Sequence, residues 1–270
     1  MSTSAWRLHY EASVDDRGLT YAAVGADADV VMSGTSVPLS DWLNANKPTL
    51  VLEGDRVIGG GDRLLARRAG LAPYARSGLE IIGWNGVDRR VEAQGRERRP
   101  DSIQAFMSRH LQEIGDFTVL LDDDGSGEVA DLVGLTIEGG ELLVTLVHCK
   151  YSAAATAGAR LQDLYEVCGQ AMRSAKWRQN GLKPLLTNLD RRARQKAGRT
   201  GESPFEVGDV AALFRVREVA PQLRPRFRVV IAQPGLSAGR VTDDQLQLLA
   251  GAAAYLRSRA NASLVVYCDS

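Results

Sequence analysis

Hydrophobic and polar positions along this chain change their rhythm near residue 100. Before it, apolar residues come in short runs broken by turn formers. Residues 6–10 alternate, residues 19–24 and 29–32 each suit one strand, and residues 49–52 and 56–58 flank Glu53-Gly54-Asp55 as the arms of a hairpin would. A short helix is predicted after Pro38, over residues 39–43. Gly59-Gly60-Gly61 reads as a turn and not as a phosphate loop, because no Lys-Ser/Thr follows it. The charged stretch 88–99 reads as a linker. These features predict a smaller β-rich domain with its linker over residues 1–100 and a larger domain over 101–270.

Beyond the boundary the periods are longer. Ile103, Phe106, Met107, His110, Leu111 and Ile114 recur at helical spacing behind Ser102, a good N-cap, and Gly115 stops the helix. Strands are predicted over 117–121, 129–137 and 142–151, joined by Asp122-Asp123-Asp124-Gly125-Ser126-Gly127 and by Gly139-Gly140. Turns this short make consecutive strands antiparallel. A helix over 158–177, a strand over 227–232, a helix opened by a Thr242/Gln245 capping box and a last strand over 264–267 complete the pattern. The predicted fold class is α/β, a mixed sheet flanked by helices.

Composition adds a compartment. No apolar run approaches the ~18–20 residues needed to span a bilayer, and the first residues lack the charged and apolar regions of a secretion signal. Cys149, Cys168 and Cys268 show no paired spacing, which argues for a reducing compartment and against a disulfide frame or a zinc site. A cytoplasmic protein with no membrane partner is expected. The net charge of zero conceals an asymmetry. From Glu113 to Glu141 there are nine acidic residues and no Lys or Arg, whereas from Met172 to Arg228 there are fourteen basic and five acidic residues. Two solvated surfaces would explain this. So would an acidic metal pocket beside a basic surface for a polyanion.

Three residues then stand out. Asp131 interrupts an apolar run on the second of the predicted strands. His148 and Lys150 end the third, and their separation of two puts both on one face. Polar groups ending a buried strand are costly without partners, and Asp131 on the neighbouring strand is the expected one. Cys149 points to the opposite face, as a packed residue would. Glu128 faces away from Asp131 unless a bulge turns it. Asp122, Asp123 and Asp124 read as turn formers. Gln170 shares the polar side of its helix with Glu166 and Arg173.

In this order of helix, three strands, helix and strand, with Asp131 on one strand and His148-Cys149-Lys150 on the next, the chain resembles the PD-(D/E)xK nuclease superfamily. The resemblance covers about residues 102–177, extends loosely over the rest of the C-terminal half and leaves out 1–95. It implies a restriction-endonuclease-like core and hydrolysis of phosphodiester bonds with a divalent ion, Mg²⁺ or Mn²⁺. It implies a catalytic set of Asp131, His148, Lys150, Glu113 at the end of the first helix and Gln170. The metal set it implies is Asp131, His148, the carbonyl of Cys149 and, given a bulge, Glu128. Arg191, Arg192, Arg194, Lys196 and Arg199 would grip the backbone of nucleic acid, DNA in preference to RNA. By analogy such a domain is a module beside a helicase or another anti-phage defence protein, or a homo-oligomer. The departure is His148, where the superfamily has a carboxylate. It admits three readings: an active site with a nitrogen ligand that favours Mn²⁺, a degraded nuclease that still binds nucleic acid or a partner protein, or a core histidine.

Overall fold

A computed structural model of the chain describes residues 7–15, 18–32, 34–48, 50–52, 56–59, 63–65, 71–154 and 156–270. In the first part, short runs between turn formers give small antiparallel pairings. β1 (Tyr10–Asp15) pairs with β2 (Gly18–Ala23), and β3 (Asp29–Met32) with β4 (Thr35–Pro38). Helix α1 (Leu39–Ala45) follows, then β5 (Leu50–Leu52), β6 (Arg56–Gly59) and β7 (Arg63–Leu65) as a three-stranded meander. The hairpin tip at 53–55 and Gly60-Gly61 lie outside the described residues, as does Trp6; the first strand starts at Tyr10.

The chain divides into two compact units, Met1–Gly70 and Leu71–Ser270. The division falls about thirty residues before the boundary expected near Pro100. The reason is the packing of residues 79–102. β8 (Leu79–Ile81) joins the main sheet. Trp84 is buried with its ring 4.9 Å from that of Phe106. The charged stretch read as a linker is tied down by hydrogen bonds from Ile103 N to Val91 O and from Gln94 N to Gln104 Oε1, both 2.9 Å.

The second unit is a seven-stranded mixed sheet. Helix α2 (Ile103–Ile114) starts at Ser102, whose Oγ accepts from Ala105 N, and leads into β9 (Val119–Asp122). β10 (Leu132–Glu138) and β11 (Glu141–Cys149) come next, antiparallel as the short turns require. The chain then makes α3 (Gln162–Arg173), α4 (Ala175–Asn180), α5 (Leu182–Thr200), β12 (Phe205–Val207) and α6 (Val210–Val219). β13 (Arg224–Ser237), α7 (Asp243–Ala260) and β14 (Ala262–Asp269) close it. The strand order is β12-β9-β10-β11-β13-β14-β8, parallel from β11 onward. The Thr242/Gln245 capping box forms as expected.

Alternation along the strands feeds two cores. Leu142, Val144 and Leu146 of β11 pack with α3, α5, α6 and α7, while Val147 and Cys149 pack with α2 and Trp84. His148 at the end of β11 and Lys150 just beyond it face the α3 side, where they meet Ser174 and Glu166, and Asp131 immediately precedes β10. The side chains proposed for chemistry therefore emerge beneath one helix layer, at the ends of adjacent strands.

Candidate metal centre

Each buried polar strand end must find a partner, and the β9–β10 connection shows how. The ladder stops at the Asp122↔Leu132 pair. Asp123 caps the loop beyond it: its N–H donates to Asp131 O at 3.1 Å and its Oδ2 accepts from Val129 N at 2.7 Å. Gly125 and Gly127 take positive φ, 127° and 78°, which folds the loop back on itself. Residues 129–131 are consequently not strand, and the strand expected from 129 begins at Leu132. That is why Glu128 needs no bulge to face Asp131. Ligand oxygens of Asp124, Glu128 and Asp131 all lie within 4.8 Å of one another.

The surroundings hold this set in place. Arg192 of α5 donates from Nε to Asp123 Oδ1 at 2.5 Å, from Nη2 to Asp123 O at 2.6 Å and from Nη1 to Ser126 O at 2.8 Å. Lys196 donates to Asp122 Oδ1 at 2.6 Å. Gln104 of α2 donates to Asp122 Oδ1 at 2.7 Å and to Asp131 O at 3.0 Å. Asp131 Oδ2 accepts from Cys149 N at 2.8 Å. Burial, then the charges of Glu128, Glu92 and Asp124, push the Asp131 carboxyl well above the usual carboxylate range, and the Cys149 N–H only partly offsets this. Burial also raises Asp124 and Glu128, and takes Asp123 to about 6 in spite of Arg192.

A cleft of about 410 Å³ opens beside the carboxylates, lined by Asp124, Glu128, His148, Gln170, Arg173 and Lys176 among others. His148 is 2% exposed. Its Nε2 meets Ser174 Oγ at 2.8 Å, and its Nδ1 has no partner among the described residues. Gln170 Oε1, on the same cleft, is likewise shielded and unpartnered. Burial and the Arg173 charge lower the His148 pKa to about 3, so the imidazole is neutral in ordinary buffers. His148 stands outside the 4.8 Å carboxylate set. Three hard oxygen donors fit Mg²⁺ or Mn²⁺, and two orphaned polar atoms beside them fit a further ligand or its waters.

Lys150 is braced differently from the expectation. Its Nζ pairs with Glu92 at 3.1 Å and Glu166 at 3.0 Å, and lies 4.5 Å from the Tyr151 ring centre. Its ion pairs do not include Asp131, whose near oxygen is taken by Cys149 N. Burial lowers its pKa, but the two carboxylates outweigh this and hold it above the ordinary value. Cys149 meets the site through its backbone; its thiol is fully buried in the core.

Other expected residues fall elsewhere. Glu113 is exposed at the far end of α2, and Gln104 in the first turn is the α2 side chain that reaches the site. Of the basic series, Arg192 and Lys196 brace the acidic loop. Arg191 bonds Asn188 and Gln195 of its own helix, and Arg194 bonds Asp190. Arg199 is exposed, on a separate depression with Arg192 and Lys196. The sequence reading missed Asp124, which looked like a turn former, and Glu92, whose stretch looked like a linker. It also missed Arg173 and Lys176 as cleft residues. No family model matches the chain, and neither a curated protein nor a solved structure matches it.

Proposed function

We propose that the protein is a metal-dependent nuclease that hydrolyses phosphodiester bonds at the cleft beside Asp131. The observation that carries this is the convergence of Asp124, Glu128 and Asp131 next to two unpartnered buried atoms, His148 Nδ1 and Gln170 Oε1. The order α2-β9-β10-β11-α3, with β13 parallel to β11, supports a restriction-endonuclease-like core of the kind the PD-(D/E)xK resemblance implies, preceded by a β-rich unit. Asp124, Glu128 and Asp131 would hold the ion. Their three carboxylates supply the charge that the exchange of a carboxylate for His148 removes. Bound there, a divalent ion supplies positive charge at the phosphate and acidifies water enough to make it a nucleophile at neutral pH. His148, its Nε2–H donating to Ser174, would turn the Nδ1 lone pair toward the site. Gln170 would orient water or phosphate. Lys150 would offset charge growing on the phosphoryl oxygens, releasing Glu166, which is half exposed and free to move to solvent. DNA is the proposed substrate, and a helicase-like or defence-system partner the proposed context. Three free buried cysteines support a reducing, cytoplasmic setting.

A second reading rests on Lys150. Its charge is matched by two carboxylates, Glu92 and Glu166, which suits a nuclease-like module that binds nucleic acid without cutting it. Calorimetric titration with Mn²⁺ and Mg²⁺, run beside a cleavage assay on DNA and RNA, separates the two. Asp131→Asn should lose ion binding and cleavage together while keeping an acceptor for Cys149 N–H. Cleavage undiminished by that change removes the site from the mechanism. Ion binding without cleavage of any substrate favours the second reading.

A further inference from the structure

We infer that Arg173 and Lys176, rather than the basic series on α5, hold the substrate phosphate in the cleft. The inference rests on the nuclease reading and names the group that would seat its substrate. Helical spacing sets the arrangement. Glu166, Gln170 and Arg173 are separated by four and three residues and so share one face of α3. Glu166 meets Lys150, and Gln170 and Arg173 line the cleft. α4 then starts at Ala175, which brings Lys176 to the same wall.

What separates these cations from the others is that they are unpaired among the described residues and line the cleft that Asp124, Glu128 and His148 also line. Both are exposed. Arg173 has no hydrogen bond or ion pair among the described residues, and Lys176 has only the Trp177 ring, 4.9 Å from its Nζ. On α5, by contrast, Arg192 and Lys196 are engaged by Asp123 and Asp122, Arg191 and Arg194 by neighbours in their own helix, and Arg199, though unpaired among the described residues, lies on the separate depression. A guanidinium and an ammonium lining one cleft with Asp124 and Glu128 draw an anion to sit with its charge toward Arg173 and Lys176. The carboxylates repel it toward those two cations. The guanidinium also offers the forked donor geometry that fits phosphate. Arg173 lines the cleft together with His148 and Glu128, so a phosphate seated on it adjoins the proposed metal centre.

The test is fluorescence anisotropy with a labelled single-stranded DNA oligonucleotide and its duplex, over a salt series with chelator present. Mn²⁺ calorimetry is run on the same proteins. The R173Q/K176Q protein should bind more weakly. Two lost phosphate contacts should reduce the slope of log K against log salt by about 1.8 on duplex or about 1.4 on single strand. Its Mn²⁺ titration should match that of the wild type. The R191Q/R194Q/R199Q protein should keep both affinity and slope. Wild-type slope in R173Q/K176Q, a slope lost in R191Q/R194Q/R199Q instead, or no binding by the wild type would each overturn the inference. Loss of the salt-dependent contacts in a protein that also takes up no Mn²⁺ would retain the anion seat and overturn the nuclease reading instead.

Discussion

At the scale of single residues, the site turns on which carboxylates are buried and on how the buried histidine is partnered. Asp131 carries a raised pKa in the folded chain, because burial and three neighbouring carboxylates oppose its charge. The unfolded chain has an ordinary carboxylate there. As pH rises from the ordinary carboxylate range through the folded pKa, the folded state must give up a proton the unfolded state has already lost, so this residue removes stability. His148 acts in the opposite sense. Its folded pKa is about 3 against an ordinary 6.5, so its contribution grows as pH rises between those values and is constant above them. Asp131→Asn should therefore stabilise the metal-free protein at about pH 8, with a gain that shrinks toward about pH 4. Chemical denaturation of both proteins across that range checks it; a gain that does not vary with pH would place its cause elsewhere. His148→Glu adds a fourth carboxylate beside the set and gives up the Ser174 contact. It should move the preferred ion from Mn²⁺ toward Mg²⁺, read as the ratio of affinities by calorimetry. Equal ratios in wild type and variant would show that residue 148 does not touch the ion. His148 and Lys150 could be placed on one face from the sequence because strand alternation is a local rule, whereas Asp131 lies in the loop just before β10. Asp124 could not, since an Asp before a Gly is the commonest way to make a turn.

At the scale of elements, a helix that the sequence reading left unassigned governs the acidic loop. α5 has a clear apolar stripe, Leu185, Leu186, Leu189 and Ala193, all buried. Its density of cations drew attention to the surface instead, and two of those cations proved to be braces. Arg192 makes three close hydrogen bonds to residues 123–126 and is 11% exposed in its side chain. Arg192→Gln removes a buried ion pair and frees the loop that carries Asp124 and Glu128. The cost should reach about 3 kcal/mol, the lower end for breaking a buried pair, because Asp123 can take up a proton and limit the loss. Mn²⁺ affinity should fall with it, while salt-dependent DNA binding stays near wild type. If Arg192→Gln instead weakens DNA binding and leaves Mn²⁺ affinity intact, Arg192 is a contact residue after all. The long helix expected over 158–177 divides at Ser174 into α3 and α4, and the hydroxyl at that junction is the one that meets His148.

At the scale of the whole molecule, the central helix–three-strand–helix order could be read locally, because each pairing in it joins neighbours along the chain. The far edge of the sheet could not. β8 pairs in parallel with β14, Leu79 against Val266, and no pattern within residues 71–100 announces a partner so distant in sequence. The same distance hid Glu92, which meets Lys150 from the stretch that looked like a linker, and Arg98, which bonds Asp122 and Glu206. Residues 71–100 thus belong to the second unit twice over, as an edge strand and as a strap that carries polar partners to the site. A fragment beginning at Leu71 keeps both clusters of the core whole. One beginning at Asp101, where the sequence places the boundary, loses β8, the buried Trp84, and the Glu92 and Arg98 contacts. Removing a large buried aromatic alone costs about 3–5 kcal/mol, which is comparable with the net stability of many domains. The fragment 71–270 should melt in one cooperative transition and bind Mn²⁺ as the full chain does. The fragment 101–270 should be aggregated or expanded, with no sharp near-ultraviolet dichroism and rapid proteolysis. Equal melting and equal Mn²⁺ affinity in the two fragments would show that residues 71–100 are an accessory to the sheet and that Glu92 is dispensable to the site.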